Sequence, residues 1–317
     1  MKAVFLDYDT MGPGLDLEPL YAVTPDLTIH DSTAANEIAE RIADADIVFT
    51  NKINLTESLL ASASRLKLVA LTATGTDNVD LEQAAKSGIA VANIRDYCTE
   101  SVVEHVFGTL LMLTRSLAGY RSSVAAGDWQ NAGNPVLFSH PLRELSAMTL
   151  GIVGFGSLGK GVAAAGKAFG MDVIVSARPG ADDVAPGRVE FDRVLATADV
   201  ISLHCPLNDR TRNLFAADQF SAMKDSAFLI NTARGGLVDS RALADALANG
   251  DIAGAAVDVL PEEPPVNGDP LLDYDGDNLI VTPHIAWATN EARQNAIDEL
   301  AANAAAFIAG DSRNRVV

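Results

Sequence analysis

The stretch "MTLGIVGFGSLGKGVAAAGKAFG", residues 148–170, carries glycines at 154, 156 and 159 in the spacing G-x-G-x-x-G. An apolar run suited to a buried strand precedes the first glycine, and an Ala-rich amphipathic run follows the last. Another apolar run, "DVIVSA" (172–177), arrives soon afterwards. A strand, a glycine turn, a helix and a second strand make a βαβ unit. In such a unit Gly154 allows the tight turn, Gly156 lets a pyrophosphate approach the backbone, and Gly159 lets helix and strand pack closely. The free N–H groups of the first helical turn, around Ser157 and Leu158, and the helix dipole favour an anion there. The motif therefore points to a dinucleotide.

The second strand qualifies which dinucleotide. An acid normally stands about 20 residues beyond the first glycine to grip the adenosine ribose. Here the strand runs into "SARPG", with Ala177 lying 23 positions after Gly154. Without a carboxylate the 2′-hydroxyl loses its acceptor, and a 2′-phosphate meets no repulsion. Ser176 can donate a hydrogen bond and Arg178 can pair with phosphate, which favours NADP(H) over NAD(H).

Outward from this unit, apolar runs alternate with helical stretches along the whole chain. "KAVFLD", "ADIVFT" (45–50), "LKLVALT" (66–72) and "GIAVAN" (88–93) lie before it. "ADVISLHCP", "AFLINTA", "AAVDVL" and "NLIVTPH" follow it. Buried runs separated by helices imply parallel sheets. The expected fold is α/β, with two Rossmann-like or flavodoxin-like domains and the cofactor domain inserted in the substrate domain. Residues 1–98 and 287–317 form the substrate-binding domain, and residues 99–286 form the NAD(P)-binding domain. A long helix is expected from about Thr99 to Tyr120, followed by a loop-rich segment at 121–148.

Composition excludes several classes. In 317 residues, 48% hydrophobic and 21% charged residues describe a packed globular chain rather than a disordered one. No uncharged apolar run approaches the ~20 residues of a membrane span. Asp7 and Asp9 come too early for a secretory leader. The two cysteines, Cys98 and Cys205, define no disulfide framework and fit a reducing cytoplasm. A net charge of −19 argues against nucleic acid, which requires clustered cations. It also singles out isolated arginines as candidate anion ligands. Neither the cysteines nor the histidines have metal-ligand spacing.

Three strand ends in the second half are polar. "LINTARGGLVD" places Arg234 between a strand and two glycines. "AAVDVLPEEPP" supplies Asp258, Glu262 and Glu263, and "LIVTPHIAWAT" puts His284 just after a strand and a proline. Ligands of open α/β sheets gather at the carboxyl ends of strands. An arginine can hold a substrate carboxylate and polarise a carbonyl, and a histidine can exchange a proton with the developing alkoxide. A carboxylate behind the imidazole orients it and favours its protonated form. This set suits hydride transfer to a 2-oxo acid.

With these residues in place, the sequence resembles the D-isomer-specific 2-hydroxyacid dehydrogenases, most closely the glycerate dehydrogenase/hydroxypyruvate (glyoxylate) reductase branch. The matching stretches include "TGTDNVDL", "YCTESVVEHVFGTLL", "ADVISLHCPL", "LINTARGGLVD" and "VTPHIAWAT", in the family's order from about Ala45 to Ala306. The resemblance implies that Arg234 binds substrate, Glu263 supports His284, and His284 is the acid/base. Glu263 rather than Glu262 matches because it precedes the "PP". Asp258 matches the residue that receives the nicotinamide carboxamide. Cys205, Pro206, Thr211, Thr232 and Ala233 fall in cofactor-lining stretches, and His284 also borders the cofactor. Ala73, Thr74 and Gly75 match a backbone cradle for the substrate carboxylate, consistent with a loop anion nest. Lys52, Tyr97 and Trp287 are expected to border the substrate. His105 is expected to pack rather than react, and His204 to be a satisfied loop histidine.

The expected activity is hydride transfer between NAD(P)H and a small 2-oxo acid, giving the D-2-hydroxy acid. The resemblance also implies a homodimer, for which 121–148 is the expected contact. A dinucleotide-sensing corepressor of the same fold is the alternative, but no long tail follows the last helix. A formate dehydrogenase would carry Gln where Glu263 stands.

Overall fold

The computed structural model describes residues 1–180 and 184–317. The chain divides into two compact units, Met1–Cys98 with Trp287–Val317, and Thr99–Ala286. In the first unit the strands are β1 (Lys2–Phe5), β2 (Asp26–Ile29), β3 (Ile47–Thr50), β4 (Leu68–Leu71) and β5 (Ala90–Ala92). They form one parallel sheet in the order β2-β1-β3-β4-β5. Strands β3, β4 and β5 are buried at every position, as a parallel sheet covered on both faces requires. β2 alternates exposed and half-buried residues at the sheet edge. The chain order reverses beside β1, so the carboxyl ends of β1 and β3 flank the crevice of this flavodoxin-like sheet. The helix Asn290–Ala309 belongs to this unit.

The second unit contains β6 (Thr149–Val153), β7 (Asp172–Val175), β8 (Val200–Leu203), β9 (Phe228–Asn231), β10 (Gly254–Val257) and β11 (Leu279–Val281). Its parallel sheet has the order β11-β10-β9-β8-β6-β7. Here the reversal lies between β6 and β8, beside the glycine loop. Ile201, Leu203, Leu229 and Val257 face Phe215, Phe220 and Leu243 in a continuous apolar core. The fold class is the one expected from the sequence. At the first turn of the helix Thr99–Thr114, the Ser101 hydroxyl donates to the Ala286 carbonyl, 2.7 Å away and buried.

The structure corrects two local expectations. The long helix stops at Thr114 rather than near Tyr120, because Ser116 adopts φ +46°, which cannot continue a right-handed helix. The segment thought loop-rich then begins inside a new helix, Leu117–Ala125, and includes a short one, Asp128–Asn131. Residues beyond these helices fold back on them: Tyr120 Oη donates to the His140 carbonyl at 2.9 Å, and Ser116 Oγ to that of Pro141 at 2.8 Å. Phe138 is left 79% exposed, which makes it the most open large apolar side chain among the described residues.

Candidate active site

The glycine loop joins β6 to the helix Ser157–Ala168, at the topological switch of the second sheet. Gly154 has φ +97°, and a Cβ there would lie 2.4 Å from the His204 carbonyl carbon. A Cβ on Gly159 would lie 2.1 Å from the Gly154 oxygen. These two positions therefore exclude a side chain for packing reasons. Gly156 differs: a Cβ would meet nothing within 4 Å, so its face is open. No side chain caps the helix, so its first N–H groups have no side-chain acceptor at the cap.

Two buried polar atoms among the described residues also want a partner, His204 Nδ1 and Thr232 Oγ1. They follow β8 and β9 on the same edge. His204 Nε2 is bonded to Ser202 Oγ at 2.9 Å, so the histidine is half satisfied rather than fully, as its sequence setting implied. Burial pulls its pKa down to about 4, so the ring is neutral at neutral pH. An open glycine cradle at an uncapped helix and two unsatisfied polar atoms fit a dinucleotide. Cys205 is half-buried beside them, and burial raises its thiol pKa. The Thr211 hydroxyl holds its own turn, donating to the Pro206 carbonyl at 2.7 Å. Ala233 N–H is likewise held by Asn231 Oδ1 at 3.1 Å.

At the end of β7 the expected roles separate. Ser176 is buried and its hydroxyl donates to the Ala177 carbonyl at 2.7 Å, so its proton is already engaged within the chain. Arg178 is exposed and makes no hydrogen bond or ion pair with any described residue. A second arginine escaped the sequence reading. The Arg188 guanidinium lies 4.9 Å from the centroid of the Phe155 ring, and its Nη1 is 3.4 Å from the Ser176 carbonyl oxygen.

Arg234, Glu263 and His284 line one cavity of about 170 Å³, together with Leu207, Leu260 and Pro261. Two loops meet tightly beside it: a Cβ on Gly235 would lie 2.0 Å from the Leu260 carbonyl carbon. Glu263 Oε1 accepts the Leu260 N–H at 2.9 Å, and Oε2 lies 2.5 Å from His284 Nδ1. One carboxylate thus orients the ring, and its neighbour Glu262 bonds Asn267 instead. With Nδ1–H given to Glu263, Nε2 is the nitrogen free to exchange a proton. The Arg234 guanidinium is steadied by Nη1 donating to the Ala233 carbonyl at 2.8 Å.

His284 has φ +57°, a conformation that needs support. Asp258, expected to receive a carboxamide, supplies that support. It is 2% exposed, and its carboxylate accepts the N–H groups of Ile285 at 2.9 Å and Ala286 at 2.8 Å and the Thr282 hydroxyl at 2.5 Å. These acceptors are spent on the segment that carries His284, because burial forces the carboxylate to find donors within the chain. Thr282 Oγ1 also meets His105 Nε2 at 3.2 Å. Since the hydroxyl donates to Asp258, His105 is the donor in that contact. Ser101 and His105, four residues apart on one helix face, thereby grip residues 282–286. His105 packs, as expected, but in a polar network.

In the first unit, the loop 73–75 follows β4. It is fixed by Ile94 N–H to Ala73 O at 3.2 Å, Thr74 Oγ1 to Ile94 O at 2.8 Å, and Asn93 Nδ2 to Thr74 O at 2.7 Å. Lys52 follows β3, with its backbone N–H bonded to Asp7 Oδ2 at 2.6 Å. The Tyr97 and Trp287 rings stand edge to face, 6.2 Å apart.

A family model described as D-isomer specific 2-hydroxyacid dehydrogenase, NAD binding domain, matches residues 107–286. Over 282 residues the chain is 46% identical to the glycerate dehydrogenase of Methylorubrum extorquens, covering 88% of each chain. The D-lactate dehydrogenase of Aquifex aeolicus, complexed with NAD and lactic acid, is 32% identical with a TM-score of 0.83, over 98% of this chain and 96% of that one. An acyclic imino acid reductase in complex with NADPH and D-Arg has a TM-score of 0.86 at 27% identity, over 100% of both chains. One neighbour holds NAD and the other NADPH, which supports a nicotinamide cofactor without choosing between them. No helix among the described residues is long and apolar enough to cross a membrane. Sequence likeness along most of the chain and a glycine cradle fit for a dinucleotide agree: the chain belongs to the D-isomer-specific 2-hydroxyacid dehydrogenases and is an oxidoreductase of that type.

Proposed function

We propose that this enzyme reduces a small 2-oxo acid, hydroxypyruvate or glyoxylate, with NADPH preferred over NADH. The observation that carries the reading is the single cavity shared by Arg234, Glu263 and His284, with Glu263 bonded to the imidazole. The similarity to a glycerate dehydrogenase supports the substrate class, since oxidation of D-glycerate at C2 gives hydroxypyruvate.

A bound nicotinamide supplies the hydride. Arg234 holds the substrate carboxylate and polarises the 2-oxo group, a planar fork suited to both contacts. His284 gives the proton on Nε2 to the oxygen as the alkoxide develops, and takes it back in the reverse direction. Glu263 keeps Nδ1–H engaged throughout, so the ring neither rotates nor changes its reacting nitrogen. Asp258, Thr282, His105 and Ser101 position the segment that carries His284. Gly154, Gly156, Gly159 and the first turn at Ser157 and Leu158 hold the pyrophosphate. Cys205, Pro206, Thr232 and Ala233 line the cofactor, and Thr211 shapes that lining. In the first unit Ala73, Thr74 and Gly75 cradle the substrate carboxylate, bordered by Lys52, Tyr97 and Trp287.

The NADPH preference rests on Ala177, where an acid would repel the 2′-phosphate, and on Arg178. We place the enzyme in a reducing cytoplasm as a homodimer, not bound to nucleic acid. Exposed Phe138, Trp129 and Val136 in 121–148 offer the apolar contact. The test is steady-state kinetics with NADPH and NADH against hydroxypyruvate and glyoxylate, for the wild type and His284→Gln. Turnover in the wild type that survives in His284→Gln would overturn the acid/base assignment. An NADH preference would overturn the cofactor assignment alone, and a monomer on gel filtration the dimer alone.

A further inference from the structure

We propose that Arg188 is the second half of a two-arginine site for the 2′-phosphate of NADP(H). This rests on the NADPH reading above and names a further residue that contributes to the choice. After β7 the chain returns alongside the strand's own end: Ser176 and Val189 pair in parallel, with Ala177 N–H to Val189 O at 2.7 Å and Val189 N–H to Val175 O at 2.8 Å. Residue 188 is thereby set beside the place where a ribose-binding acid would stand.

The guanidinium is oriented as well as near. It lies 4.9 Å from the centroid of the ring of Phe155, which sits between the first two glycines of the cradle, and it reaches the Ser176 carbonyl at 3.4 Å. It therefore spans from the end of β7 to the glycine loop, the two elements that bracket an adenosine ribose in this type of sheet. Contact with an aromatic ring restrains the guanidinium and leaves N–H donors for an anion. Among the described residues no carboxylate pairs with Arg188, in a chain whose net charge is −19. Arg178 is exposed and has no partner among the described residues, so it adds charge, whereas Arg188 is already placed and adds geometry.

The experiment is calorimetric titration of the full-length enzyme with adenosine 2′,5′-bisphosphate and, separately, adenosine 5′-monophosphate, which differ by the 2′-phosphate alone. The wild type should prefer the bisphosphate. Arg188→Gln should weaken the bisphosphate roughly 10- to 100-fold and leave the monophosphate unchanged, the range for charge-assisted hydrogen bonds. Arg188→Lys, which keeps the charge without the planar fork, should fall between them and decides the matter if the Gln variant is unstable to heat. Bisphosphate affinity unchanged in Arg188→Gln overturns the proposal, as does equal weakening of both probes, which would make Arg188 a brace for β7. A wild type that cannot tell the probes apart overturns the NADPH reading itself.

Discussion

The two sheets are built alike at their amino ends and oppositely at their carboxyl ends. Asp46, just before β3, accepts the N–H of Lys2 at the start of β1 at 3.0 Å and bonds Lys67 at 2.9 Å. Asp199, just before β8, accepts the N–H of Thr149 at the start of β6 at 2.9 Å and bonds Arg143 and Lys224, each at 3.2 Å. The same device pins the first strand to its neighbour twice. At the opposite edge the resemblance ends. In the first unit the buried Asp7 carboxylate accepts the N–H groups of Asn51, at 3.0 Å, and Lys52, at 2.6 Å, across the β1/β3 crevice. In the second, the β6/β8 crevice has an open glycine cradle and the unsatisfied His204 Nδ1, with the unsatisfied Thr232 Oγ1 at the end of the next strand, β9. One crevice carries its own anion, and the other is left open to receive one.

The largest effect should come from the open edge. His284→Gln should lower kcat about 10²- to 10⁴-fold, the usual worth of a general acid, while dinucleotide affinity measured by fluorescence stays within twofold or so. The closed edge predicts the converse. Asp7→Ala should cost about 2–4 kcal/mol in urea unfolding, because two backbone donors lose their acceptor. Dinucleotide binding per folded molecule should not change. If Asp7→Ala instead costs binding and spares stability, the contrast between the edges is mistaken.

Thr282→Val tests the support beneath His284. It leaves a His105 donor and an Asp258 lone pair without a partner, and kcat should fall roughly 10- to 100-fold with KM little changed. Thr282→Ser should restore most of it. A loss confined to KM would show that the network serves substrate binding instead.

The smallest effect should appear at the amino ends. The Lys2 N–H, then Lys67, hold the Asp46 carboxyl down to about 2 from its ordinary 3.8. A depressed folded-state pKa stabilises the fold above the ordinary value, and that stability is lost as pH falls through the folded value. Asp46→Asn should therefore lose less stability than wild type between pH 4 and 2. Burial pushes Asp199 upward, but the Thr149 N–H, Lys224 and Arg143 outweigh it and the net shift is down. Asp199→Asn should also flatten the acid limb. Equal acid sensitivity in all three proteins would remove these pairs from the account.

The sequence made the second sheet legible because its six strands are apolar runs and its glycine spacing has a geometric cause. It hid β2, whose alternating exposure at an edge leaves only a weak apolar signal in "DLTI". It hid the break at Ser116, since serine is tolerated within helices and nothing in "LTRSLAG" demands a positive φ. Within the site, Arg234, Glu263 and His284 were readable from strand-end position and family likeness. Arg188 was not, because its meaning depends on Phe155, 33 residues earlier in the chain, and on a return beside β7 that no periodicity announces. The engagement of the Ser176 hydroxyl by the Ala177 carbonyl was hidden for a related reason: a hydroxyl can face either way, and only packing decides.

The hydrogen bond from Ser101 to Ala286 closes the second unit on itself, first turn to last residue. A stretch of chain that enters and leaves through one doorway is modular. Ends that already touch are the condition that excision, exchange or circular permutation of a domain requires, with only a short splice between them. Exchange of this one stretch would carry the glycine cradle together with Arg234, Glu263 and His284, so cofactor choice and the reacting side chains travel as one cassette.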